Sequence, residues 1–181
     1  MRNFYLSFFI ASLLFQTALS QQPRNTVAFR NGVKMLPNAN DTVPIAEALA
    51  RGKFGSHSYV LIRFTQLPGA GERQILERAG IRLFDYIPHN SFLAEVPANF
   101  SPGSLKQIAT GGIYTVEGKD KISPNVTSHI SKPEVLIAVQ YYGNISQDAI
   151  IEIIRNTGAQ VVETKIRPAR TVFVKTSLPV I

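Results

Sequence analysis

Apolar residues alternate from Tyr59 to Thr65, which places Val60, Ile62 and Phe64 on one face of a strand. Gly69-Ala70-Gly71 reads as a turn, and Glu72 to Ala79 as a helix with Ile75, Leu76 and Ala79 at helical spacing. Gly80 is a natural residue to follow that helix, because glycine adopts a left-handed conformation without a Cβ penalty. Ile81 to Ile87 is a second strand, Pro88-His89-Asn90 a hairpin turn, and Ser91 to Val96 a third strand. Ser101-Pro102 opens a second helix through Leu105 and Ile108, which stops at Gly111-Gly112 before a fourth strand, Ile113 to Val116. The predicted order is βαββαβ.

The pattern then begins again. Val135 to Val139 stands where Val60 to Phe64 stood, 75 positions on (135 − 60), and Gly158 stands 78 positions after Gly80 (158 − 80). Ser146 is placed to cap a helix bearing Ile150, Ile151, Ile153 and Ile154, with Asp148 in its first turn. Ala159 to Ile166, a turn at Arg167-Pro168-Ala169, and Thr171 to Lys175 complete the second copy. Strand, helix, glycine, strand, turn and strand in one register predict an internal repeat. The expected fold class is α+β: two tandem ferredoxin-like split βαβ units, the second stopping after its third strand.

This reading divides the chain into a signal peptide at 1–20, a loosely structured leader at 21–57, a first unit at 58–118, a linker at 119–133 and a second, incomplete unit at 134–181. The leader is polar and broken by Pro23, Pro37 and Pro44, with a short helix over Ala46 to Arg51. At the start, Arg2 precedes an apolar run from Phe4 to Phe15, and Ala18-Leu19-Ser20 supplies small residues for cleavage between Ser20 and Gln21. That run is shorter than the roughly 20 apolar residues a spanning helix needs, so a secreted, periplasmic or extracellular location is expected, with no membrane association after signal removal.

Composition changes this picture little. There is no cysteine, so disulfides, thiolate chemistry and thiolate metal sites are excluded. The net charge of +7 comes from scattered residues such as Arg63, Arg73, Lys106 and Arg155, several beside acidic neighbours, and reads as a solvated surface rather than a nucleic-acid patch. The sequons at Asn40, Asn99, Asn125 and Asn144 indicate surface exposure and no more.

The stretch Tyr59 to Pro97 resembles the N-terminal prodomain of secreted subtilisin-like serine proteases of the fervidolysin-like kind. The residues that carry the likeness are Arg63-Phe64 closing a strand, Ala79-Gly80-Ile81 closing a helix, the Tyr86-Ile87-Pro88-His89-Asn90 turn, and a strand whose Leu93 and Val96 lead into proline. Glu117 to Ser123 and the second unit from Glu134 resemble the longer prodomains of such proteases. The resemblance implies a chaperone and inhibitor that docks an open sheet face on a subtilisin-like catalytic domain, normally in cis. On that basis the chain is expected to be a prodomain fragment that stops ahead of its catalytic domain.

No catalytic residue, cofactor or metal is expected in the chain itself. Asp41, Asp85, Asp120 and Asp148 are not followed by Ser/Thr-Gly, and His57, His89 and His129 are not followed by Gly-Thr, so the surroundings of a subtilase triad are missing. The histidines are isolated from second ligands, and Gly69-Ala70-Gly71 lacks the third glycine of a dinucleotide fingerprint. The face opposite the helices, with Leu61, Arg63, Leu93 and Glu95, is the candidate partner surface. Two other readings remain at this point: a standalone secreted protease inhibitor or other protein-binding module of the same fold, and a single-stranded RNA binder. The latter wants aromatic residues on the sheet face, and those four residues supply none.

Overall fold

Strand β4 (His57–Phe64) is the centre of the protein's main sheet. Val60, Leu61 and Ile62 in succession are buried, which a strand achieves only when both of its faces are covered. β4 pairs antiparallel with β6 (Ser91–Pro97), in a register that sets Tyr59 against Glu95 and Leu61 against Leu93. β5 (Arg82–Ile87) lies outside β6. The other edge of β4 is shared: β3 (Lys53–Phe54) pairs with its start and β7 (Thr110–Tyr114) with its end. The strand order is therefore β7–β4–β6–β5, with β3 on the β7 side.

The computed structural model describes residues 25–36, 45–101, 103, 105, 108, 110–128, 133–165 and 168–177. The expected signal peptide and its Ser20–Gln21 cleavage point lie outside the described residues, as do His129 and the terminal Leu178 to Ile181.

One face of the main sheet packs under helices. α1 (Ile45–Arg51) contributes Ala48, and α2 (Ala70–Arg78) contributes Leu76. Val60, Ile62, Phe64, Ile81, Phe92, Ala94, Val96 and Ile113 complete this core together with Leu105 and Ile108 of the crossover, where residues 102, 104, 106, 107 and 109 lie outside the description. Burying each large side chain contributes roughly 1.5–3 kcal/mol. Gly69, Ala70 and Gly71 are not a free turn: Gly69 precedes α2, and Ala70 and Gly71 form its first turn. The Glu72 carboxylate accepts from the Gly69 N–H at 2.9 Å, tying the first turn down. The helix ends where Gly80 takes φ +75°, its N–H donating to the Glu77 carbonyl at 2.9 Å.

The expected loose leader is corrected. Residues 25–36 form a hairpin of β1 (Thr26–Phe29) and β2 (Gly32–Met35), with Phe29 opposite Gly32 across the Arg30-Asn31 turn. The hairpin lies on the opposite face of the main sheet, where Val27 and Leu36 pack with Leu61 and Val116, and Phe29, Ile87, Leu93 and Tyr114 surround them. The first unit is thus three layers: helices, sheet and hairpin.

The expected linker is also partly structured, since it carries the short helices α3 (Gly118–Lys121) and α4 (Pro124–Thr127); residues 129–132 lie outside the description. The second sheet follows with β8 (Val135–Gln140), β9 (Gln160–Val162) and β10 (Thr171–Thr176) in the order β8–β10–β9. β9 is shorter than the strand expected to reach Ile166. α5 (Gln147–Asn156) packs Ile154, Ile150 and Ile151 on Val172, Val174, Ile137 and Val139. The Ser146 hydroxyl accepts from the Ala149 N–H, and Gly158 ends the helix at φ +82° with its N–H donating to the Arg155 carbonyl at 3.0 Å. The protein is α+β. The order β8–β10–β9 matches β4–β6–β5 of the first sheet, and no fourth strand of the second sheet is found among the described residues.

Candidate binding surface

The strand registers bring Leu61, Arg63, Leu93 and Glu95 onto one face of the main sheet. That face is not open. Leu61 is 1% exposed and Glu95 6% exposed, because two segments of the same chain divide the surface between them. This corrects the expectation of a partner-contact face at these four residues: the covering groups are intramolecular.

The hairpin takes the half around Leu61 and Leu93. Beyond its apolar contacts it is held by polar ties that span long stretches of chain. Arg63 Nη1 donates to Asn25 Oδ1 at 2.9 Å, and Asn31 Nδ2 donates to the Lys119 carbonyl at 2.6 Å. The Lys34 ammonium donates to the Asp120 carboxylate at 2.7 Å and lies 3.8 Å from Glu117. His89, expected as a bland turn residue, places Nδ1 3.0 Å from both the hydroxyl and the carbonyl oxygen of Thr26. His89 and Asn90 both take positive φ, 72° and 57°, and the Asn90 amide donates to the Thr65 carbonyl at 3.4 Å.

The loop after β8 takes the other half. Tyr59 and Phe84 lie side by side on the sheet with nearly parallel rings, 9° apart, and Tyr142 lays its ring against both, at centroid distances of 4.7 and 5.1 Å. Phe54 meets Tyr59 edge-on at 6.3 Å. Two residues on, Asn144 Nδ2 donates to Glu95 Oε1 at 2.5 Å and to the Tyr59 hydroxyl at 2.6 Å. The loop is shaped by a turn in which the Ile145 N–H donates to the Tyr142 carbonyl at 3.0 Å, and the Tyr141 N–H donates to the Arg170 carbonyl at 3.1 Å. Burial pushes the Tyr142 phenol above its ordinary pKa, as it does that of Tyr59, where the Asn144 hydrogen bond pulls in the opposite direction.

The Glu95 carboxylate also faces His57 Nε2 at 3.6 Å and Arg82 Nη1 at 3.8 Å, and Ser56 Oγ lies 3.0 Å from His57 Nδ1. Serine, imidazole and carboxylate thus neighbour one another in succession, but the imidazole–carboxylate distance exceeds a hydrogen bond. Among the described residues the one short bond to Glu95 comes from the neutral Asn144 amide. A cleft of about 500 Å³ adjoins this cluster, bordered by Ser56, His57, Arg82, Glu95, Asn144 and Ile145. Among the described residues no group of three or more His, Asp or Glu side chains could hold a metal ion, and no helix is long and apolar enough to cross a membrane.

The groups that sequence reasoning missed on this face are Asn25, Tyr59, Phe84, Tyr142 and Asn144. Its face does carry aromatic residues, Tyr59 and Phe84, but Tyr142 covers both. The nearest sequence signal was Tyr141-Tyr142-Gly143-Asn144, where two aromatics and an amide flank a turn glycine.

No curated protein and no solved structure matches the chain. The family described as Domain of unknown function (DUF8729) matches residues 23–118, which is 96 of the 181 residues and takes in the hairpin, α1 and the whole main sheet. Its match begins ahead of the hairpin, in accord with a hairpin that belongs to the domain, and the chain is a member of this family.

Proposed function

We propose that the protein is a non-catalytic, exported module of the prodomain type, which assists the folding of a subtilisin-like protease domain and inhibits it by laying a sheet face on its surface. The resemblance over Tyr59 to Pro97 motivates the partner, and the antiparallel sheet with its two helices on one side accords with it. Docking through Leu61, Arg63, Leu93 and Glu95 is set aside, because the chain itself fills that face.

The observation that carries the revised reading is the corresponding face of the second sheet. Opposite α5, Ala138, Phe173 and Val162 form a cross-strand row, and Leu136 beside them is 61% exposed. Ala138 is exposed and Phe173 and Val162 are half-buried, so an apolar surface stands where the first sheet has its covering layers.

The test is to refold a subtilisin-like catalytic domain, produced without its own prodomain, with and without this protein, and to titrate the folded enzyme with it. Accelerated recovery of active enzyme and saturable inhibition are expected, both weakened by Leu136→Asp. Absence of both effects with the wild-type protein, or identical effects with the variant, overturns the reading.

A further inference from the structure

The groups that hold the Tyr142 ring and the Asn144 amide belong to the first unit, whereas the loop that carries them is anchored in the second, where the Tyr141 N–H meets the Arg170 carbonyl. The contact therefore has the form of a receptor and a ligand that share one chain. Recognition is concentrated in two side chains. Tyr142 rests on the platform of Tyr59 and Phe84, and Asn144 gives its amide to Glu95 and to the Tyr59 hydroxyl. Gly143, between them, offers only backbone.

We propose that this platform is an exchangeable peptide-binding site, which takes from a partner protein a segment bearing an aromatic residue and, two positions later, an asparagine, with residues 141–146 as the resident competitor. The two halves of the site read different chemistry. The flat faces of Tyr59 and Phe84 accept any aromatic ring by offset stacking. Glu95, whose side chain is 8% exposed, calls for a hydrogen-bond donor, which the Asn144 amide supplies. Its hydrogen-bond partner is a neutral amide, while His57 and Arg82 stand off at 3.6 and 3.8 Å, so a carboxylate in the asparagine position would face a buried like charge. The adjoining cleft of about 500 Å³, between Ser56, His57, Arg82 and Ile145, has room for the residues that follow the asparagine. A resident loop on a tether competes at an effective concentration on the order of millimolar, a level that a partner with additional contacts exceeds.

The inference stands apart from the protease reading, since its test contains no protease. The hexapeptide YYGNIS is titrated into the full chain carrying Tyr142→Ala and Asn144→Ala, and the ring-proton resonances of Tyr59 and Phe84 are followed. Saturable shifts in about the low millimolar range are expected, with at least roughly tenfold weaker binding of a peptide carrying Asp for Asn, a discrimination of the size expected for a buried unpaired charge. If the double variant loses its fold, Asn144→Ala alone takes its place. No shift with YYGNIS, or equal shifts with peptides lacking the asparagine or the second tyrosine, overturns the proposal. So does a concentration-dependent dimer of the wild-type chain whose Tyr59 and Phe84 resonances ignore the peptide, since the loop would then exchange only between copies.

Discussion

Asn144 donates its side-chain amide to the carboxylate of Glu95, 49 positions earlier in the chain, at 2.5 Å. The bond joins the loop of one sheet to the floor of the other, and among the described residues it gives a nearly buried carboxylate its one short hydrogen bond. Removing a partner from a buried acceptor costs about 1–3 kcal/mol. Asn144→Ala is expected to destabilise by that amount, and Asn144→Asp by more, because it sets two carboxylates against each other. Urea denaturation of the two variants checks the order; a more stable Asp variant would contradict it.

Leu61 and Leu136 occupy matching places in β4 and β8 but opposite environments, at 1% and 61% exposure. Leu61→Ala should cost about 2–5 kcal/mol, as in a packed core, whereas Leu136→Ala should stay within about 0.5 kcal/mol. Chemical denaturation midpoints decide this. A small loss at Leu61 would mean that the hairpin does not cover it in solution.

The raised phenol pKa of Tyr142 has a pH consequence, and burial is its main cause. An unfolded tyrosine ionises near pH 10, at about its ordinary value, while the folded one holds its proton longer. This contribution is therefore fully present below about pH 10 and is lost as pH rises through the higher folded value. Tyr142→Phe should flatten the fall in stability above about pH 10 relative to wild type. Equal slopes for the two proteins in thermal melts across that range would contradict it.

Gly80 and Gly158 end equivalent helices at φ +75° and +82°, yet their surroundings differ. A Cβ on Gly80 would come within 3.1 Å of Pro97 Cγ, whereas one on Gly158 would meet nothing within 4 Å. Gly158→Ala should cost about 1–2 kcal/mol of left-handed backbone penalty, and Gly80→Ala should cost more through the added crowding. Equal losses in denaturation would show that Pro97 gives way freely.

The sequence displayed some of this plainly and hid the rest for physical reasons. Val60, Ile62 and Phe64 alternate as a strand must when one face meets helices, and Gly80 and Gly158 mark helix ends by their conformational freedom. The three-layer build of the first unit also left a trace. Val60, Leu61 and Ile62 are consecutive and apolar, the mark of a strand covered on both faces, yet the alternation around them suggests a single buried face. The hairpin went unrecognised although Asn31-Gly32 is a strong turn signal. Each of its strands has four residues, and Val27 is their one buried apolar side chain, with Leu36 following just after β2, too few to register as a periodic pattern. The platform could not be read at all, because Tyr59 and Phe84 gain their meaning only from Tyr142, whose ring arrives from the second sheet.

The polar ties of the hairpin have a consequence for vectorial synthesis. Asn31 and Lys34 find their partners 88 and 86 positions later, at Lys119 and Asp120. At about 5–20 residues per second, a ribosome needs roughly 4–17 s to add that much chain. Until it has done so, the hairpin lacks those two fastenings and is held over the surface around Leu61 and Leu93 by the Asn25–Arg63 and Thr26–His89 contacts and its apolar packing alone. The nascent chain thus passes through an interval in which the cover of this apolar face is only partly fastened, and a holdase acting in that interval would meet β4 before the hairpin is locked over it.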